Sequence, residues 1–390
     1  MILKGKFEMK KLVILANKYP NKYDPNVNVF TQQVAWALLD EGIKVIIICP
    51  NPINYKTYNK NLPFHSYEKN ENGKKIEIYR PKYIGLGQEG KKLQKMRVNI
   101  TTKLYLESVK RVINKLELKE FSILGEFLCP SGVAAACLGK KYGVKSYMQI
   151  GEATYQGDKK YGNENLKKIL KNIDGIIALS GYIKDYLLKA GIVTEDKITI
   201  LPSGYRRDRI VKRNKIEARK KFNLPLDKFI VGFCGSFDDR KGILRLERAI
   251  DSINDDEIVL AACGKGECMP KSNKLVWRGP INHKDLSWFY SALDVFAFPT
   301  YYEGCCTAIV EAIACGCPII SSDRSFNYEI CDKSNSILIE PDDVNEMKNA
   351  IILLKNNRIK RENMIESSIQ KSRDLSLDIK AKKMIKYMEL

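Results

Sequence analysis

The chain has 390 residues, with 66 Lys and Arg against 46 Asp and Glu for a formal net charge of +20, and 44% of its residues are hydrophobic. That length carries two or three domains with a core each, which excludes general disorder. The absence of an apolar run of about 18 residues and the short, interrupted start MILKGKFEMKK exclude a membrane span and a secretory leader, so the expected location is the cytoplasm.

Residues 11–16 (KLVILA) read as a strand, 29–41 as a helix ended by Gly42, and 44–49 (KVIIIC) as the next strand. The middle is less regular. Its basic stretch 91–115 has helical spacing, with Leu93, Met96, Ile100, Leu104 and Val109 expected on one packed face and the cations in solvent, contact with an anionic membrane being the alternative. Strands follow at 121–125, 145–150, 175–179 and 197–201, with a helix at 132–142. The second half repeats the scheme: strands at 229–235, 257–264, 295–299 and 336–341, and helices from Gly242 and near 284–292. Near-continuous apolar strands alternating with helices predict an α/β protein of two doubly wound, Rossmann-like domains facing a central cleft. The expected domains are 1–204 and 205–370, hinged near Pro202-Ser203-Gly204, with 371–390 as a C-terminal helix packing back on the first.

The charge favours an anionic partner, a phosphorylated small molecule or a membrane surface. Nucleic acid is not expected, because the charge is spread along the chain and no nucleic-acid module is present. Eleven cysteines, an odd number set in apolar segments, fit reduced core residues. Cys305-Cys306 and Cys315-x-Cys317 lack metal-finger spacing and a neighbouring histidine, so no metal or other cofactor is expected.

In parallel sheets ligands sit beyond the carboxyl ends of the strands. The loops there are GSFDDRKG (235–242), Gly264-Lys265-Gly266 and Tyr301-Tyr302-Glu303-Gly304. Gly264-x-Gly266 alone reads as a turn. A helix starting near Cys306 or Thr307 places Glu303 in the loop before it and Glu311 one turn in, at an N-terminus whose free N–H groups and dipole suit phosphate. Glu311 can accept hydrogen bonds from vicinal ribose hydroxyls. The plainer reading is an exposed loop acid at Glu303 and a Glu311–lysine pair.

Glu303-x7-Glu311 followed by AIACGCPIISSD resembles the nucleotide-sugar signature of the retaining glycosyltransferases of family 4, the glycosyl transferases group 1 with the GT-B fold. ITILPSGY (198–205), VGFCGSFDDRKG (231–242), the approach from Val276 to Gly304, IEPDDVNEMKNAI (339–351) and YPNKYDPNVNVFTQQVAWALLDEGIKV (19–45) are similar to further segments of that family, in its order. The resemblance implies catalytic roles for Glu303 and Lys241, with Glu303 on the donor sugar, Glu311 on the ribose and Lys241 on the diphosphate. Gly235, Ser236, Arg240, Gly264, Arg278, Gly304, Cys305, Cys306 and Thr307 complete the implied donor site. Ser236 stands where the family usually has arginine, so Arg240, Arg206 or Arg207 is left to supply that charge. Asn28 and Phe30 fall on the acceptor side. Glu126, in the loop where relatives carry a histidine, and Glu152, in the next acceptor-side loop, are candidate catalytic, acceptor-orienting acids, or merely loop acids; His65 and His283 match no family position. The implied activity is retaining transfer from a UDP- or GDP-sugar to a hydroxyl of a glycan or lipid-linked glycan in cell-surface polysaccharide or glycolipid assembly. The site would be cytoplasmic, on the inner face of the cell membrane. A nucleotide-sugar epimerase and a non-catalytic nucleotide-sugar or glycan binder are the alternatives.

Overall fold

A computed structural model of the chain describes residues 10–55, 60–86 and 93–390; Lys91 and Lys92 of the basic stretch lie outside them. The chain divides into two compact units, the first running to Leu201 and taking in Asp378–Leu390, the second Pro202–Leu377. Sequence placed the divisions at 204 and 370. The difference at the hinge follows from Tyr205, which bridges to Ser376 and exchanges backbone hydrogen bonds with Leu375 and Leu377, fixing the hinge segment to the second unit.

The first unit holds strands β1 (Lys11–Leu15), β2 (Lys44–Ile48), β3 (His65–Lys69), β4 (Lys75–Tyr79), β5 (Phe121–Glu126), β6 (Ser146–Ile150), β7 (Gly175–Ala178) and β8 (Ile198–Ile200). They form one sheet in the order β8-β7-β6-β5-β1-β2-β4-β3, parallel except for the β3–β4 hairpin. The strands are apolar on both faces because helices cover both; Leu12, Val13, Ile14 and Leu15 are fully buried. Helices α1 (Val29–Asp40), α2 (Gln94–Lys115) and α3 (Val133–Tyr142) pack on it. The buried face of α2 is Val98, Thr101, Thr102, Tyr105, Val109 and Val112. Of the five residues expected there only Val109 is buried: Leu93, Met96 and Leu104 are 60%, 49% and 37% exposed. The 3.6-residue period running through Val98, Tyr105 and Val112 wins, since Tyr105 brings the largest apolar surface and packs edge-on to Tyr83.

The second unit is a six-stranded, wholly parallel sheet of β9 (Phe229–Cys234), β10 (Ile258–Cys263), β11 (Leu275–Gly279), β12 (Val295–Phe298), β13 (Ile319–Ser322) and β14 (Ser336–Ile339), ordered β11-β10-β9-β12-β13-β14. Helices α4 (Ile243–Asp251), α5 (Leu286–Ala292) and α6 (Thr307–Ala314) follow β9, β11 and β12. This is the second Rossmann-like domain. The final helix α7 (Leu377–Tyr387) carries Tyr387, whose hydroxyl accepts from the Ile176 amide (3.0 Å) and donates to the Lys197 carbonyl (2.7 Å), so the chain returns to the first unit's sheet edge. All eleven cysteines are free. Among the described residues no helix is long and apolar enough to cross a membrane.

Candidate active site

Because every strand of the second sheet points the same way, the loops after β9, β10 and β12 emerge on one edge. Backbone hydrogen bonds join them: Gly235 N to Cys263 O, Phe237 N to Lys265 O and Tyr301 N to Arg240 O. A side chain at Gly264 would bring its Cβ to 1.9 Å from Gly235 O, so only glycine lets the two loops approach. Gly242, with φ +84°, turns the chain from the first loop into α4.

The centre of this edge is Glu303, 9% exposed. One of its oxygens, Oε1, accepts from Arg240 Nη1 (2.6 Å), from Lys241 Nζ and from Thr300 Oγ1 (3.2 Å). Glu303 is therefore not the exposed loop acid of the plainer reading. The two cations converge on one carboxylate oxygen, with Arg240 also over the Tyr302 ring and Lys241 over Phe298. Asp238 organises the loop beneath, accepting from Ser236 Oγ (2.5 Å) and Lys241 N (2.8 Å). Burial pushes the Asp238 carboxyl up, but these donors and the charges of Arg240 and Lys241 outweigh it and hold the group below its ordinary range.

Arg245 had no signal in the sequence. It is 2% exposed, and its guanidinium donates to the carbonyls of Asp239 (2.8 Å), Arg240 (3.3 Å) and Pro299 (2.8 Å) while lying 3.7 Å from the Tyr301 ring centroid. It thus ties the Arg240–Lys241 loop to the Glu303 loop.

Glu311 is the fifth residue of α6 and is 6% exposed. Its Oε2 accepts from Tyr290 Oη (3.1 Å) and its Oε1 lies 3.3 Å from His283 Nε2. The plainer expectation of a lysine partner fails here: Tyr290 of α5 and His283, just ahead of α5, take that place. Burial, with Cys234 and Glu311 beside it, keeps the Tyr290 phenol well above its ordinary value, so it remains a donor. A carboxylate offers about four lone-pair directions, so two remain for a diol. Cys306 caps α6, and its thiol is pushed up by burial; Gly304 is buried, and Cys305 accepts from Ser203 N (3.3 Å).

Arg278 does not join this cluster: it is exposed on β11, and Nη1 donates to the Pro270 carbonyl (2.7 Å). Of the arginines left to replace the family's cation, Arg240 lies in this cluster, on Glu303. Arg206 pairs with Asp208 (2.9 and 2.5 Å) and Arg207 donates to the Arg373 carbonyl. Among the described residues no group of three His, Cys, Asp or Glu is arranged to hold a metal ion.

In the first unit Glu126 is not in a loop. It ends β5 at 1% exposure, with Gln149 Nε2 at 3.3 Å, and burial raises its carboxyl to about 7 against the nearby Lys380 charge and Gln149. The strand runs one residue further than its apolar pattern, Glu126 pairing with Gln149 of β6 in the ladder. Glu152 accepts from the amides of Leu128 (2.6 Å) and Gly151 (3.2 Å), so it holds two loops together; burial raises its carboxyl, opposed by those amides. Asn28 caps α1 in a left-handed conformation and reaches the Lys18 carbonyl, and Phe30 packs edge-on to Phe127 at 5.5 Å. These four line the same edge of the sheet, without forming one cluster.

Residues 214–371 match the family described as glycosyl transferases group 1. The match falls within the second unit. The chain is 25% identical over 354 residues, 87% of its length and 88% of the other, to TuaC, a glycosyltransferase assigned to teichuronic acid biosynthesis in Bacillus subtilis (strain 168). It is 29% identical to CapM, a capsular polysaccharide biosynthesis glycosyltransferase of Staphylococcus aureus, over 38% of its own chain and 43% of that one. Its fold is that of sucrose-phosphate synthase from Thermosynechococcus elongatus (TM-score 0.76, 19% identity, covering 97% and 98% of the chains). It is also that of Anabaena HepE, solved with UDP and glucose (TM-score 0.70, 13% identity, 97% and 99%).

Proposed function

We propose that this chain is a glycosyltransferase that moves a sugar, with retention, from a nucleoside diphosphate sugar to a hydroxyl of a glycan or lipid-linked glycan in cell-surface polysaccharide assembly. The observation that carries the reading is the convergence of Arg240 and Lys241 on Glu303 beside α6. The cations would take the diphosphate, whose negative charge grows as the nucleotide leaves, and Glu303, freed on one oxygen, would accept from the donor sugar. Glu311 would hold the ribose. TuaC and CapM support the polysaccharide class, and the UDP in HepE supports a UDP-sugar. In a retaining front-face transfer the leaving phosphate oxygen takes the acceptor proton, so no protein histidine is required. Glu126 and Glu152 would order the acceptor side. The exposed Leu93, Met96 and Leu104 of α2, interleaved with Lys95, Arg97 and Lys103, support a place on the inner face of the cell membrane.

Purified protein incubated with UDP- and GDP-sugars is expected to release nucleoside diphosphate, and faster with a glycan hydroxyl present. Epimerised donor without release would point to an epimerase, and binding without any turnover to a non-catalytic relative. Glu311→Gln is expected to weaken UDP binding by about 10–100-fold, the loss of a charge-assisted hydrogen bond. Calorimetry giving unchanged affinity in the folded variant would remove Glu311 from the ribose site.

A further inference from the structure

A cavity of about 440 Å³ opens within the first unit, lined by the loops after β1, β2, β4 and β5, by α2 and by Lys160–Tyr161. It has the position a ligand takes in a parallel sheet, beyond the carboxyl ends of the strands. Its charge is lopsided: Lys18, Arg80 and Lys160 line it against the single, exposed carboxylate of Asp24. Arg80 is 6% exposed. Its Nη1 donates to Ser66 Oγ (2.6 Å), and among the described residues no carboxylate stands within ion-pair distance of it. The acid it feels, Glu68, already accepts from Tyr19 Oη (2.5 Å), Gln32 Nε2 (2.7 Å) and Trp36 Nε1 (2.9 Å). A guanidinium removed from water without a counter-ion is costly, and burial accordingly lowers the Arg80 pKa. Lys18 and Lys160 form no ion pair among the described residues, and Glu152, within electrostatic reach of Lys160, is taken by two amides.

We propose that this cavity binds a phosphate group of the acceptor, with the Arg80 fork on its oxygens and Lys18 and Lys160 neutralising its second charge. A carboxylate would leave the three cations under-compensated, whereas a phosphomonoester or diphosphate comes closer to matching them. Thr101 at the wall, whose Oγ1 accepts from the Leu86 amide, keeps its own O–H for whatever the phosphate carries. The inference rests on the reading of the first unit as the acceptor side. The phosphate belongs either to a soluble sugar phosphate or to an isoprenoid diphosphate, which present the same oxygens.

The test is calorimetry on the full chain with glucose, glucose 1-phosphate and farnesyl diphosphate. At least one phosphate is expected to bind about tenfold more tightly than glucose. Lys18→Gln combined with Lys160→Gln, both away from the core, and Arg80→Lys, which keeps charge but loses the fork, are each expected to reduce that binding by about fivefold or more, with UDP affinity and melting temperature kept. The tighter of the two phosphates identifies the source. Equal binding of glucose and both phosphates overturns the proposal, as do variants that bind like the wild type, which would put the anion at Arg240 and Lys241. If phosphate binds through Arg80 yet neither accepts sugar nor competes with the acceptor, the anion site stands and the acceptor reading falls.

Discussion

Replacing Lys241 with alanine is expected to cut turnover of a nucleoside diphosphate sugar by about 10²–10³-fold, the scale of losing one preorganised donor to developing charge. Affinity for the free nucleoside should stay within about twofold, because the nucleoside lacks the phosphates on which Lys241 acts. The variant should also fold. Glu303 keeps Arg240 at 2.6 Å and Thr300 at 3.2 Å, so its part-buried carboxylate is not left unpaired. The comparison of kcat for donor hydrolysis with the nucleoside Kd decides the matter. Equal losses in both would make Lys241 a structural lysine that merely holds the Glu303 loop.

The repeated strand and helix scheme was legible in sequence because buried parallel strands are almost uniformly apolar. KLVIL, KVIII and IVLAAC could not be exposed anywhere without cost. The β3–β4 hairpin was not. KIEIY alternates charged and apolar residues at the sheet's antiparallel edge, where one face meets solvent, and HSYEK carries too little apolar surface to read as a strand, so that the Asn72-Gly73 turn, with Gly73 at φ +74°, is the pair's one clear signal. The face of α2 differs for a related reason: Thr102 and Ser108 are buried polar residues that satisfy themselves locally, Thr102 on the Val98 carbonyl and Ser108 on that of Tyr105, and buried Thr101 accepts from the Leu86 amide.

Of the candidate site, the paired glutamates, Lys241 and Arg240 were legible, since motif spacing and loop position after a core strand place them. Their mutual contact was not, because spacing says nothing of which cation a carboxylate meets across 62 residues of sequence. Arg245 lies on a helix whose apolar positions are Ile243, Leu246, Ala249 and Ile250, and only the structure shows the arginine turned inward onto three carbonyls. His283 and Tyr290 likewise acquire their place at Glu311 from the packing of α5 against α6. Arg80 follows a strand that sequence did not detect, so its burial had no sequence signal.

Glu126→Gln is expected to make the protein progressively more stable than wild type as the pH rises from about 5 to 8. The folded carboxyl is raised to about 7 from an ordinary 4.5, chiefly by burial, with the Lys380 charge and Gln149 opposing and Glu152 adding. A raised value means that the fold favours the protonated form. That stability is fully present below about 4.5 and is lost as the pH climbs through 7, where the folded group must ionise in place. The shift corresponds to a difference on the order of 3 kcal/mol above the folded value. Glu126 has Gln149 Nε2 as its neighbouring donor at 3.3 Å. A glutamine at this position never carries the charge. Urea unfolding of both proteins at pH 5 and pH 8 measures the effect as a widening gap between them. A gap that does not change with pH would show that Glu126 keeps its ordinary ionisation, and one that narrows would show that Lys380 holds the carboxylate charged within the fold.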